Sequence, residues 1–140
     1  MLENILKECD VTYKPEVKFT SVYIAADYCR ARIGLEEREV FSVLFLDNQN
    51  KLIKAEELFL GTINQASVYP REIVKTALLC NAAAVMISHN HPSGELNPSI
   101  SDKTITKKIK EALNLVDIRL LDHIIVSHDQ YYSFCEENLL

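Results

Sequence analysis

The sequence predicts an α/β domain: a mixed β-sheet flanked by helices in a three-layer-like arrangement, with elements in the order α-β-β-α-β-α-β-β. Three segments carry that expectation. Glu39 to Asp47, EVFSVLFLD, is almost continuously apolar and rich in β-branched and aromatic residues, as a strand buried on both faces requires. Ala82 to Ser88, AAAVMIS, is a second short apolar run, set between two segments of helical period. Ser99 to Leu115 is the longest helical pattern, with Ile105, Ile109, Ala112 and Leu113 on one face and Lys103, Lys107 and Lys110 on the other.

In chain order, residues 1–18 read as an N-terminal arm and residues 19–140 as the domain. In the arm, Leu2, Ile5, Leu6 and Cys9 make a short amphipathic pattern before Tyr13-Lys14-Pro15 leads into an extended stretch. Val22, Ala25, Ala26, Cys29 and Ile33 then fall at helical spacing, with Thr20 or Ser21 as N-cap and Gly34 as the stop. Asp47-Asn48-Gln49-Asn50 turns the first strand into a second, from about Lys51 to Thr62, as an antiparallel hairpin. Pro70 opens a helix with Ile73, Val74, Ala77 and Leu78 on one side. The Ala82–Ser88 strand delivers His89-Asn90-His91-Pro92-Ser93-Gly94 into a loop, the kind of place where function concentrates. Asp117 to Ser127 and Tyr131 to Phe134 close the chain as a β pair.

Composition narrows the function classes. A length of 140 residues with 48% apolar content suits one compact domain, and 3 Gly and 4 Pro exclude collagen-like or low-complexity chains. No apolar run approaches the roughly 20 residues of a membrane span, and Met1 to Asp10 lacks the pattern of a secretory signal, so no membrane partner and a cytoplasmic location are expected. Fifteen Lys and Arg against twenty Asp and Glu give a net charge of −5, which disfavours nucleic-acid partners held by many phosphates without excluding them. Cys9, Cys29, Cys80 and Cys135 contain no C-x-x-C pair, so no zinc ribbon or thioredoxin-like motif is present. The sequence carries no signal for an oligomeric state.

His89 and His91, at the exit of a buried strand, are the feature to explain. The H-x-H spacing alone is weak, but an extended backbone through Asn90 would project both imidazoles to one side, as two ligands of one divalent ion require. Ser99 follows eight residues after His91 and Asp102 three later, at the opening of a helix. Two histidines and a carboxylate leave a tetrahedral zinc ion one open position, the arrangement of a catalytic site. Such a site needs a proton acceptor and donor, and Glu39 is the candidate, since a carboxylate opening so apolar a strand is unexpected unless it reaches a site at the strand mouth. Ser99 could donate to an oxyanion.

Glu39, H-x-H-P and Ser99-x-x-Asp102 together resemble the JAMM (MPN+) metalloprotease motif. HNHPSG, with LFLGTINQASVYPREIV before it and LLDHIIVS after it, resembles more specifically the RadC family, over about residues 21 to 135. The resemblance implies a cytidine-deaminase-like JAMM/MPN fold and one Zn2+ per chain held by His89, His91 and Asp102. It further implies a water activated by Glu39, a tetrahedral intermediate steadied by Ser99, and a peptide or isopeptide bond in a peptide or protein substrate. Longer RadC proteins carry a DNA-associated helix-hairpin-helix region, for which 140 residues leave no room, so a short form is expected.

Each residue also has a plainer reading. S-x-x-D at a helix start is close to a capping box, and both roles can hold for Ser99 and Asp102. Glu39 could be a solvated strand-end carboxylate. His123 reads as a buried structural histidine paired with a backbone or carboxylate group rather than a fourth ligand, and His128 as exposed in a turn. Lys103, Lys107, Lys108 and Lys110 read as a solvated face. Arg71 could bind a substrate carboxylate or cap a loop. The alternative function is a DNA-repair-associated or nucleic-acid-binding accessory protein with a non-catalytic metal site. A two-metal nuclease would want more carboxylates, and a cytidine deaminase would want H-x-E and P-C-x-x-C, which are absent.

Overall fold

The computed structural model describes residues 17–61 and 68–140. The amphipathic pattern from Leu2 to Cys9, Tyr13-Lys14-Pro15 and the hairpin end at Thr62 lie outside the described residues. The elements are α1 (Val22–Ile33), β1 (Glu39–Leu46), β2 (Leu52–Gly61), α2 (Pro70–Leu79), β3 (Ala84–Asn90), α3 (Ile100–Asn114), β4 (Arg119–Val126) and β5 (Tyr131–Ser133), in the order the sequence predicts.

They build one mixed sheet, ordered β2-β1-β3-β4-β5. The β1–β2 and β1–β3 pairs are antiparallel, β3–β4 is parallel and β4–β5 antiparallel. The parallel pair demands a crossover, and α3 supplies it. Every residue of β1 and β3 is buried, which explains why both read as unbroken apolar runs.

Period two sorts those residues to two faces. Phe41, Val43, Phe45, Val85 and Ile87 pack with Ile73 and Ala77 of α2 and Ile105, Ile109 and Leu113 of α3. Val40, Leu44, Leu46, Ala84 and Met86 pack with Ala25, Ala26, Cys29 and Ile33 of α1. Each large side chain so buried contributes about 1.5–3 kcal/mol, so the two helical layers are held by ordinary core burial.

Local signals set the ends. Ser21 Oγ accepts from the Ile24 N–H at 3.3 Å and caps α1. A Cβ at Gly34 would stand 2.6 Å from the Arg30 carbonyl oxygen and 3.0 Å from that of Ser127, so only glycine lets the end of α1 approach the β4–β5 turn. Asp47 Oδ1 accepts from Gln49 N at 2.8 Å and Lys51 N at 3.0 Å, and Asn50 takes the left-handed φ of 59° that closes the hairpin. Upstream of α1, Lys18 bridges Lys51 and Phe19 is buried in the α1-side core.

Two expectations are corrected. Leu78 of α2 is exposed, because α2 lays only its Ile73–Ala77 stripe on the core. β3 runs two residues beyond Ser88, so His89 and Asn90 are strand rather than loop. Among the described residues, no helix is long and apolar enough to cross a membrane.

Candidate metal centre

His89 and Asn90 extend β3 because both find partners inside the protein: His89 pairs with Phe41 of β1 and Ile125 of β4, and Asn90 with Val126. The backbone stays aligned one step further, where the His91 N–H donates to the Val126 carbonyl at 3.1 Å. Both imidazoles therefore fall on one side, with ring centroids 4.6 Å apart and their Nε2 atoms 2.8 Å apart. Gly94, at φ 88°, then turns the chain so that the Glu95 carbonyl lies 2.6 Å from His91 Nδ1.

The helix start supplies a carboxylate. Ser99 Oγ accepts from Asp102 N at 3.0 Å and Asp102 Oδ2 accepts from Ser99 N at 2.8 Å, a complete capping box. The box fixes a buried Asp102 with Oδ1 3.3 Å from His89 Nε2 and Oδ2 3.4 Å from His91 Nε2. Capping and facing the histidines are thus properties of one side chain.

Glu39 opens β1 and is only 3% exposed, which removes the solvated reading. Its Oε1 is 3.7 Å from His89 Nε2. Glu39, His89 and His91 each offer a ligand atom, all within 4.8 Å of one another, and the three could hold a metal ion. Across the strand, the Asn90 amide oxygen accepts from Val40 N at 2.6 Å, while its NH2 donates to the carbonyls of Glu36 at 3.1 Å and Arg38 at 3.0 Å. The middle residue of H-x-H therefore pins the segment that carries Glu39.

His123 is fully buried, but its partners are neither backbone nor carboxylate. Its Nδ1 is 2.5 Å from Thr106 Oγ1 and its Nε2 is 2.7 Å from His89 Nδ1. Counting protons along these short contacts fixes each tautomer. The Thr106 hydroxyl donates to the Asp102 carbonyl at 2.6 Å, so it must accept from His123 Nδ1–H. Burial, helped by His89, pushes the His123 pKa well down, so the ring is neutral and its bare Nε2 accepts from His89 Nδ1–H. His89 Nε2 is then the nitrogen turned to Glu39 and Asp102. His91 Nδ1–H donates to the Glu95 carbonyl, so its Nε2 is likewise the nitrogen turned to Asp102. Two imidazole nitrogens 2.8 Å apart, flanked by Glu39 and Asp102, call for a proton or a metal ion among them.

The carboxylates are driven apart in acidity. Burial raises the Glu39 pKa above its usual range, and His89 and His91 offset that only in part. Burial also opposes ionisation of Asp102, but hydrogen bonding to His89 and His91 and the Ser99 N–H hold it far below the ordinary carboxylate range. For His91, burial lowers the pKa, but Asp102, the Glu95 carbonyl and Glu39 outweigh it and raise it. The pocket therefore favours a cation, whether a proton on His91 or a metal ion.

Glu39, His91, Ser99 and Asp102 open onto a cleft of about 660 Å³, whose walls also include Glu37, Arg38 and Glu95. A second groove of about 430 Å³ continues past His91 and Pro92 to the exposed His128. Arg71 lies elsewhere, with its guanidinium 5.5 Å from the Tyr69 ring centroid. Sequence reasoning missed Asn90 and Thr106. The signals were slight: the residue between the two histidines, and a threonine one helical turn after Asp102.

Residues 19–139 match the model of the RadC-like JAB domain. The chain belongs to the RadC family. The RadC match takes in all the residues of the cluster, and the five-stranded mixed sheet with three helices is consistent with a JAB/MPN-like fold. Similar curated proteins are a UPF0758 protein of Actinobacillus succinogenes, 55% identical over 140 residues, and one of Actinobacillus pleuropneumoniae serotype 5b, 59% identical over 115. A third, from Pasteurella multocida, is 53% identical over 129 residues. These alignments cover 100%, 82% and 89% of this RadC chain, but only 62%, 52% and 58% of the relatives.

Proposed function

We propose that this RadC-family domain is a metal-dependent hydrolase that cleaves a peptide or isopeptide bond in a peptide or protein substrate. The observation that carries the reading is the pair of histidine Nε2 atoms, 2.8 Å apart, facing each other between two buried carboxylates. Two imidazole nitrogens and a carboxylate are the donor set of zinc, so His89, His91 and Asp102 would hold one Zn2+ per chain. When bound, the ion supplies Lewis acidity, which acidifies water and polarises a carbonyl.

The chain's own residues move the protons. Glu39, beside His89 and outside the ligand triad, accepts the proton of the attacking water and returns it to the leaving nitrogen. Ser99 Oγ already accepts from Asp102 N–H, which leaves its hydroxyl proton to donate into the cleft as charge grows on the carbonyl oxygen. Glu37 and Glu95 outnumber Arg38 on the cleft walls, which disfavours phosphates and so favours a peptide over a nucleic acid.

A diverse peptide library incubated with wild type and Glu39→Gln tests the reading. Metal-dependent cleavage by wild type, lost in Glu39→Gln, is the expected result. Metal retained with no cleavage by either protein would favour the nucleic-acid-associated accessory role instead.

A further inference from the structure

We propose that Thr106 and His123 are positioning residues for His89, joining the His89 imidazole on β3 to the Asp102 backbone on α3 in one hydrogen-bonded line. The inference rests on the metal-centre reading for what His89 is held for, and on the hydrogen bonds for how it is held. The line runs from His89 Nδ1 to His123 Nε2 at 2.7 Å, from His123 Nδ1 to Thr106 Oγ1 at 2.5 Å, and from Thr106 Oγ1 to the Asp102 carbonyl at 2.6 Å. Each contact is short enough to need its own proton, and with a neutral His123 ring one distribution of protons serves all three.

That distribution gives His123 its function. Its Nε2 receives the His89 Nδ1–H and so dictates that His89 turns its Nε2 to the cluster. His123 is therefore no fourth ligand, since the nitrogen that could bind an ion is taken by His89. Its ring is clamped: Phe134 stacks on it with centroids 4.5 Å apart and an interplanar angle of 18°, and Phe41 meets its edge at 6.0 Å. Phe41 also stacks on His89. This apolar sleeve keeps water from competing for the line, so its direction is set by the protein. Thr106 makes the line more than a single contact. Its one hydroxyl proton is committed to the Asp102 carbonyl, one turn back on α3, so the ring and helix that bring the two ligands together cannot shift independently.

The test is zinc affinity, measured by competition with a chromophoric chelator on wild type, Thr106→Val, Thr106→Ser, His123→Phe and the Thr106→Val/His123→Phe double variant. Valine keeps the volume of threonine and phenylalanine fills the slot between Phe41 and Phe134, and circular dichroism checks that each variant is folded. Thr106→Val is expected to weaken zinc binding about 10-fold and His123→Phe about 10- to 100-fold, the usual cost of losing a residue that orients a ligand histidine. Thr106→Ser should stay within about 2-fold of wild type, and the double variant should be no weaker than His123→Phe alone. Wild-type affinity in Thr106→Val, equal loss in Thr106→Val and Thr106→Ser, or additive losses in the double variant would each overturn the proposal. Ring 1H–15N spectra give a readout that does not depend on zinc: neutral His123 should carry its proton on Nδ1, and a proton on Nε2 overturns the line. If wild type holds no zinc, the metal-centre reading fails, and the His123 tautomer alone decides the relay.

Discussion

On the α1 face of the sheet, Asn90 and Asp122 are buried polar residues whose hydrogen bonds close completely. Asn90 is satisfied by Val40 N–H and two carbonyls, and Asp122 accepts from His123 N at 2.7 Å, Cys135 N at 3.0 Å and the Ser133 hydroxyl at 2.5 Å. On the α3 face, the line from Asp102 through Thr106, His123 and His89 also closes, contact by contact, until it reaches the two Nε2 atoms. There two imidazole nitrogens and two carboxylates meet, and a cation among them is what closes the set. Burial and polarity are alike in these two sets of residues; what separates them is whether the groups can satisfy one another. A buried network that completes itself holds the fold, and one that closes around a cation is suited to take up a metal ion.

The largest effect expected from that contrast is on metal content. Wild type purified without chelator should carry one ion per chain and His89→Ala/His91→Ala none, by elemental analysis; equal content in both would sink the site. Next is turnover: Glu39→Gln should keep its ion and lose about 10²- to 10⁴-fold in cleavage rate, the usual contribution of a general base. On the closed face, Asn90→Ala strands the buried Val40 N–H and should lower unfolding free energy by about 2–3 kcal/mol in urea titrations, with metal content unchanged in the folded protein. Ser99→Ala removes an N-cap and should cost about 1 kcal/mol. A further loss of turnover in Ser99→Ala, beyond what metal content explains, would mark the hydroxyl as a donor to substrate. Smallest of all, charge reversal at Lys103, Lys107 and Lys110 should leave DNA and RNA binding unchanged at every salt concentration; a salt-dependent shift abolished by the reversal would favour the accessory role.

Much of this was legible in the residues. The unbroken apolar run of β1 marked a central strand, and Ser21, Pro70 and Ser99 marked helix starts, because capping chemistry is local. That Glu39, His89, His91, Ser99 and Asp102 come together at one cleft could be anticipated because H-x-H and S-x-x-D are short-range patterns and Glu39 is a carboxylate at the head of an apolar strand. The end of β3 was misplaced because histidine and asparagine are poor strand formers, and here tertiary hydrogen bonds override that preference. The place of His123 was not legible: it meets His89 only through the parallel β3–β4 register, which no local pattern encodes. Thr106 was hidden for the same reason, as a threonine on a helix ordinarily bonds the carbonyl one turn back and nothing more.

His89, His91 and Asp102 stand on three different pieces of backbone: the end of β3, the loop beyond it and the first turn of α3. An ion gripped by such a set binds the assembled domain and has little hold on the unfolded chain, so its binding free energy is added to the free energy of folding. At a free concentration one hundred times its dissociation constant, that addition is about 2.7 kcal/mol. Supply of the ion would then govern how long each molecule survives proteolysis as well as how fast it works, and a chelator would act on this domain as a denaturant does.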